Sequence, residues 1–204
     1  MAAIESQLID AGISPLAGVD EAGRGACAGP LVIASVILHD PFAEDLVAVR
    51  DSKDVSETER ENLYELLIQK AAAISTIIVP PAEVDARGVH AANLDGMRRA
   101  VQGLSITPAY VLTDGYAIDG LGIANLAVWK GDQVAHCISA ASIIAKVTRD
   151  RIMRELDSQY PDYGFAKHQG YITAAHTKAL NQHGPCIVHR QSFANIAALI
   201  NKNK

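Results

Sequence analysis

Two apolar runs separated by a charged, glycine-rich turn constrain this chain more than any other feature. Leu16 leads into GVDEAGRGACAGP (residues 18–30), and LVIASVIL (residues 31–38) leads out of it. The apolar and β-branched flanks predict strands over residues 16–20 and 31–38. Between them stand two adjacent carboxylates, Asp20 and Glu21, and then a tight turn with one cation, Gly23-Arg24-Gly25. Acids at a strand end, beside a loop whose backbone can approach a ligand closely, outline a metal or phosphate site. Successive residues of a regular strand point to opposite faces. Asp20 and Glu21 therefore share a site only if the strand ends or bulges there, or if Glu21 contributes from the side or through its backbone.

The remaining pattern alternates strands and helices. Ser56 followed by Glu59 is a capping box opening a helix over about 57–73. Residues 74–79 read as a strand closed by Pro80-Pro81. Residues 88–103 read as a helix, with Leu94, Met97 and Val101 at helical spacing. Short strands follow over 110–113, ending at Asp114-Gly115, and over 125–129, ending at Lys130-Gly131-Asp132. A long helix is predicted over 134–159, with Ile138, Ala141, Ala145, Thr148 and Ile152 forming its apolar stripe and Lys146, Arg149, Arg151 and Arg154 mostly off it. Pro161, Tyr163 and Gly164 break it. Helices over 174–182 and 192–201, joined by Gly184-Pro185, complete an α/β layer fold with a helical C-terminal section.

With 204 residues, 49% of them hydrophobic, the chain can bury the core of one domain and is too apolar for disorder. No window approaches 18 uncharged apolar residues, and the N-terminus lacks the basic segment of a signal peptide. Three widely spaced cysteines, Cys27, Cys137 and Cys186, suit a reduced, cytoplasmic protein. The net charge of −5 is uneven: residues 146–204 hold nine Lys/Arg against four Asp/Glu. Cations paired with a polyanion and ordinary surface variation both fit that asymmetry.

Three strand ends thus finish in acids: Asp20-Glu21, Asp114 and Asp132. Should those strands be neighbours, four carboxylates converge and repel one another until hard divalent cations join them. Two such ions about 3.5–4 Å apart can activate a water and stabilise the leaving oxygen of a phosphodiester. Plainer readings stand beside this one. Asp114-Gly115 suits a hairpin turn, Asp132 suits a helix N-cap, and Asp20 and Glu21 suit a solvated strand end. The Gly23-Arg24-Gly25 loop matches neither the P-loop nor the dinucleotide pattern, yet it is a backbone nest with a guanidinium. Downstream, Ser139, Ser142, Lys146 and Arg149, then Lys167, His168, Tyr171, His176 and Lys178, suit backbone contact and stacking on a sugar or base; a solvated helix face with a buried tyrosine is the alternative. His183, Cys186 and His189 spell H-x2-C-x2-H, but a closed zinc site needs a fourth ligand.

These residues resemble bacterial ribonuclease HII. The resemblance is carried by VDEAGRGACAGP (19–30), DSK (51–53), LTDG (112–115), KGD (130–132), SAASIIAKVTRDR (139–151), YPDYGFAKHQGY (160–171) and HGPCIVHRQSF (183–193), in order over nearly the whole chain. It implies a ribonuclease H-like fold: a five-stranded mixed sheet flanked by helices, in one catalytic domain over 1–204, with about 160–204 as a helical extension contributing to substrate binding. It implies metal-dependent endonucleolytic cleavage of RNA in RNA/DNA hybrids. Incision 5′ of single ribonucleotides in duplex DNA, leaving a 3′-hydroxyl and a 5′-phosphate, is implied with it. Asp20, Glu21, Asp114 and Asp132 fall on the family's acids, which hold two Mg²⁺ or Mn²⁺ ions. Gly23, Arg24 and Gly25 fall on the loop that reads the 2′-hydroxyl, and Tyr171 falls on the tyrosine that packs on the neighbouring sugar. Ser52, Lys53, Ser139, Ser142 and Lys146 fall on positions that approach the backbone. Ala26-Cys27, Asp54 and His168-Gln169 depart from the commoner pattern and touch none of the acids. The protein is expected to act as a monomer, away from membranes. A non-catalytic hybrid-binding protein and a sister ribonuclease H preferring long hybrids are the rival readings.

Overall fold

A computed structural model describes residues 3–46, 49 and 55–202. Five strands form one mixed sheet: β1 (Leu16–Ala22), β2 (Leu31–Leu38), β3 (Ala71–Val79), β4 (Tyr110–Asp114) and β5 (Asn125–Val128), in the order β3-β2-β1-β4-β5. The first three strands pair antiparallel, and β4 and β5 run parallel to β1 and to each other. Every residue of β2 is buried, as an interior strand covered on both faces requires. Its alternate side chains divide the core. Val32, Ala34, Val36 and Leu38 pack with α2 (Glu57–Lys70) and α5 (His136–Gln159). Leu31, Ile33 and Ile37 face α3 (Pro81–Arg87) and α4 (Val89–Gln102), meeting Val84, Met97 and Ala100.

The Ser56 hydroxyl accepts from the Glu59 amide, so the predicted cap forms, but α2 stops at Lys70 and β3 starts three residues earlier than predicted. Residues 71–73 are alanines, too small to hold a helix against the pull of sheet pairing with β2. A short α3, opened by Pro81 at its first turn, was not predicted; Gly88, at φ +78°, separates it from α4. Also unpredicted was α1 (Ala3–Asp10).

The amphipathic reading of α5 also needs correction. Residues 137–145 are all buried, and so is Arg149. The first half of α5 lies against the sheet, with α1 residues Ile4 and Leu8 around its start and α2 along its flank. The helix backbone crosses directly over Gly18, where a Cβ would collide with the Cys137 carbonyl. Its N-terminus is capped from outside: the Glu5 carboxylate accepts from the His136 amide (2.7 Å) and the Cys137 amide (2.9 Å). Arg151 and Arg154 reach back to Glu57, Glu61 and Glu65 of α2. Two of the nine Lys/Arg in residues 146–204 are thereby paired with acids of the same chain.

The C-terminal elements, α6 (Phe165–His168), α7 (Ala174–His183) and α8 (Ala194–Lys202), pack on the glycine-rich loop between β1 and β2. Cys27 and Ala28 share a core with Met153, Phe165, Leu180 and Ile196. The Cys27 amide donates to the Gly170 carbonyl, and the Arg190 amide donates to the Cys27 carbonyl.

Candidate active site

The strand β4 pairs with β1 only as far as Val19, opposite Thr113, whereas β2 follows β1 to Ala22. Past Val19 the two parallel strands part, and the acids occupy that gap. Asp20 is buried on the α5 side of β1. Asp114 ends β4, and its Oδ1 accepts from the Gly131 amide (2.8 Å). That bond fixes the 3-10 turn Gly131–Gln133, which carries buried Asp132. The Ser139 hydroxyl supports the same turn from beneath, donating to the Asp132 carbonyl at 2.7 Å. One carboxylate oxygen each from Asp20, Asp114 and Asp132 lies within 4.8 Å of the others. Neither the hairpin reading of Asp114 nor the N-cap reading of Asp132 describes these residues.

Glu21 stands apart from that triad. The strand continues regularly through it, with Glu21 opposite Ile33, so it neither ends nor bulges at Asp20. The half-buried Glu21 side chain lines the cleft from the side, and its amide donates to Asp20 Oδ1 (2.7 Å). Burial, followed by the charges of Glu21 and Asp114, pushes the Asp20 carboxyl well above its ordinary range, while a hydrogen bond from Ser142 opposes the shift. Three converging oxygen donors around a buried, electrostatically strained carboxylate fit a hard divalent cation, whose charge relieves that strain.

A cleft of about 400 Å³ runs from the acids across Gly23, Arg24 and Gly25 to Ser142, Lys146 and Tyr171. Lys146 also pairs with Asp150 at 2.6 Å. Ser139 is buried beneath the acids and does not reach the cleft. Ser52 and Lys53, like Asp54, lie outside the described residues.

The loop is held from behind by two buried arginines: Arg149, which the residue pattern offered for contact with a nucleic-acid backbone, and Arg190, which it did not single out. Arg149 donates to the carbonyls of Pro30 (2.9 Å) and Ala28 (3.1 Å). Arg190 donates to those of Gly29 (3.1 Å) and Arg24 (3.0 Å). Gly23 has φ +85°, and a Cβ there would run into the Arg149 side chain, so both conformation and space require glycine. Burial, and then the neighbouring Arg149, pushes Arg190 down to about 10. Arg190 was visible only within a longer quoted stretch, and nothing in sequence spacing reveals that carbonyls enclose either arginine.

Tyr171 is held by a relay that replaces the zinc reading. The Cys186 amide donates to His189 Nδ1 (3.0 Å), so His189 carries its proton on Nε2 and donates to His176 Nε2 (3.1 Å). His176 then carries its proton on Nδ1 and donates to the Tyr171 carbonyl (3.0 Å). Both rings are neutral in this chain of bonds, and burial, as the largest cause, lowers both, His189 to about 4. His183 instead meets the Tyr163 ring, and among the described residues His183, Cys186 and His189 form no metal-ligand group.

Fold and site together define a ribonuclease H-like nuclease that depends on divalent metal. Residues 17–196 match the family described as Ribonuclease HII. Ribonuclease HII of Parafrankia sp. is 55% identical over 195 residues, covering 96% of this chain and 81% of that protein. Ribonuclease HII of Mycolicibacterium smegmatis is 54% identical over 193 residues, covering 95% and 71%. The crystal structure of ribonuclease H2 from Pyrococcus horikoshii superposes with a TM-score of 0.79 at 29% identity, covering 92% and 97% of the two chains. The chain belongs to the Ribonuclease HII family, metal-dependent endonucleases that hydrolyse RNA in RNA/DNA hybrids. Membership decides for an enzyme over a passive binder. No helix among the described residues is long and apolar enough to cross a membrane.

Proposed function

We propose that this protein incises duplex DNA on the 5′ side of single embedded ribonucleotides, leaving a 3′-hydroxyl and a 5′-phosphate, in addition to cutting RNA in longer hybrids. The observation that carries this reading is one cleft shared by Asp20, Glu21 and Asp114, the Gly23-Arg24-Gly25 loop and Tyr171. Asp20, Asp114 and Asp132, with Glu21 from the side, would hold two Mg²⁺ or Mn²⁺ ions. When bound, these ions polarise the scissile phosphate, activate the attacking water and stabilise the leaving oxygen. The protein's own groups supply position and selectivity. The loop presents backbone groups and the Arg24 guanidinium to a sugar 2′-hydroxyl, the group that separates RNA from DNA at one residue. A deoxy analogue leaves those polar groups without their partner, which disfavours it strongly. The Tyr171 ring, 42% exposed, offers a face to the adjacent sugar. Lys146, at the cleft wall, steadies a backbone phosphate, and Ser139 acts by supporting the Asp132 turn.

Residues 1–204 then act as one catalytic domain in the cytoplasm, with the C-terminal section supplying Tyr171 and the braces of the loop. The deciding experiment is cleavage of a DNA duplex with one ribonucleotide, an all-DNA duplex and a continuous hybrid, each with and without Mg²⁺ or Mn²⁺. A metal-dependent cut only 5′ of the ribonucleotide in the first duplex, and none in the second, is expected. Cleavage of the continuous hybrid alone removes the loop from its assigned role, and efficient cutting of all-DNA removes the selectivity.

A further inference from the structure

Trp129 is the only tryptophan in the chain, and its indole is 82% exposed. So large an aromatic surface left in water, next to a functional site, marks contact with something else. Trp129 follows β5 and precedes Lys130, which is held in the left-handed region at φ +52°. The Asp114 bond to the Gly131 amide anchors this bend. Trp129 and Lys130 are thereby set beside the acids on a constrained turn.

A second cleft, of about 540 Å³, opens from the same acids. It shares Glu21, Arg24 and Asp114 with the first cleft; Tyr171 lines the first, and Trp129 and Lys130 line the second. The Arg24 guanidinium lies 4.6 Å from the centre of the Tyr116 ring at the boundary. The acids therefore stand between two aromatic surfaces, each with a cation nearby.

We propose that Trp129 is a second stacking surface for the substrate strand, packing on the base or sugar of a nucleotide on the opposite side of the scissile phosphate from Tyr171, with Lys130 meeting that nucleotide's phosphate. Stacking of this kind tolerates any base, because every base offers a π-face. It suits an enzyme that selects by sugar and not by sequence. The inference rests on the nuclease reading of the cleft.

The lone indole reports on itself. The Asp20→Asn protein is titrated with the ribonucleotide-containing duplex, and tryptophan emission and its quenching by acrylamide are followed alongside binding measured by the anisotropy of a labelled duplex. Expected are a saturating change in emission and shielding from acrylamide, both with the same midpoint as the anisotropy. In the wild-type background, Trp129→Ala should raise KM about tenfold with kcat within about twofold, and Trp129→Phe should restore most of the loss. Duplex that binds without altering emission or acrylamide access overturns the proposal, as does a Trp129→Ala protein with unchanged KM. A wild-type protein that cuts no duplex refutes the nuclease reading separately, because shielding of Trp129 is read without turnover.

Discussion

Asp114 Oδ1 accepts a hydrogen bond from the Gly131 amide at 2.8 Å, so one acid of the candidate metal site holds in place the turn that carries another, Asp132. A single carboxylate thus contributes charge to the cluster and an anchor to its geometry.

The two contributions separate by substitution. Asp114→Asn keeps an oxygen for the Gly131 amide and removes a charge; Asp114→Ala removes both. Both variants should lose metal-dependent cleavage by at least about a hundredfold. In EDTA, urea denaturation should place Asp114→Ala about 1 kcal/mol below Asp114→Asn. Added Mg²⁺ should raise the Tm of the wild type well above the change seen in either variant. Equal stabilities for the two variants would remove the anchoring role.

Arg190 holds the loop by the carbonyls of Gly29 and Arg24. Arg190→Met leaves both carbonyls without that charged donor and should cost about 2–3 kcal/mol in stability. Its KM for a ribonucleotide-containing duplex should rise more than kcat falls, because the loop that reads the sugar loosens while the acids remain. Arg190→Lys should recover only part of this, since a point charge cannot reproduce the guanidinium fork. Wild-type kinetics and stability in Arg190→Met would contradict the bracing account.

The relay from Cys186 through His189 and His176 to Tyr171 works only with neutral rings. His189, near 4 when folded, binds its proton less readily than in the unfolded chain, where about 6.5 is ordinary. Its contribution to stability is therefore complete above pH 6.5 and is lost as pH falls toward 4. The urea midpoint should decline across that window, and His189→Gln should decline less steeply. His168, stacked on His176 at 4.2 Å, is a further neighbour whose charge opposes protonation of both relay rings. A wild-type midpoint that is flat between pH 6.5 and 4 would falsify this assignment.

Much of the fold was legible because its signals are local. β2 emerged with the predicted bounds, since seven apolar residues and one serine between a glycine turn and Asp40-Pro41 admit little else. The strand-end rule selected Asp20, Glu21, Asp114 and Asp132; the structure brings Asp20, Asp114 and Asp132 together and leaves Glu21 to the side. Less legible was α1, whose purpose is to place Glu5 at the start of α5, across 131 residues of chain. Arg149 looked like a surface cation because helical spacing records direction but not what lies in that direction. His183, Cys186 and His189 have the spacing of metal ligands, yet the structure turns His189 onto Cys186 and His176 and sets His183 against Tyr163, a difference that spacing does not record.

By itself the sequence determined the strands, the glycine turn between the first two of them, and the acids at the strand ends. Each follows from side-chain polarity and backbone freedom within a few residues. The tertiary structure alone decided how those pieces face one another. It set the parting of β4 from β1 beyond Val19 that makes room for the acids, kept Glu21 to the side of the triad, and turned two arginines inward onto loop carbonyls. These outcomes depend on pairing register and on burial among distant segments, and neither is encoded in any short stretch of chain.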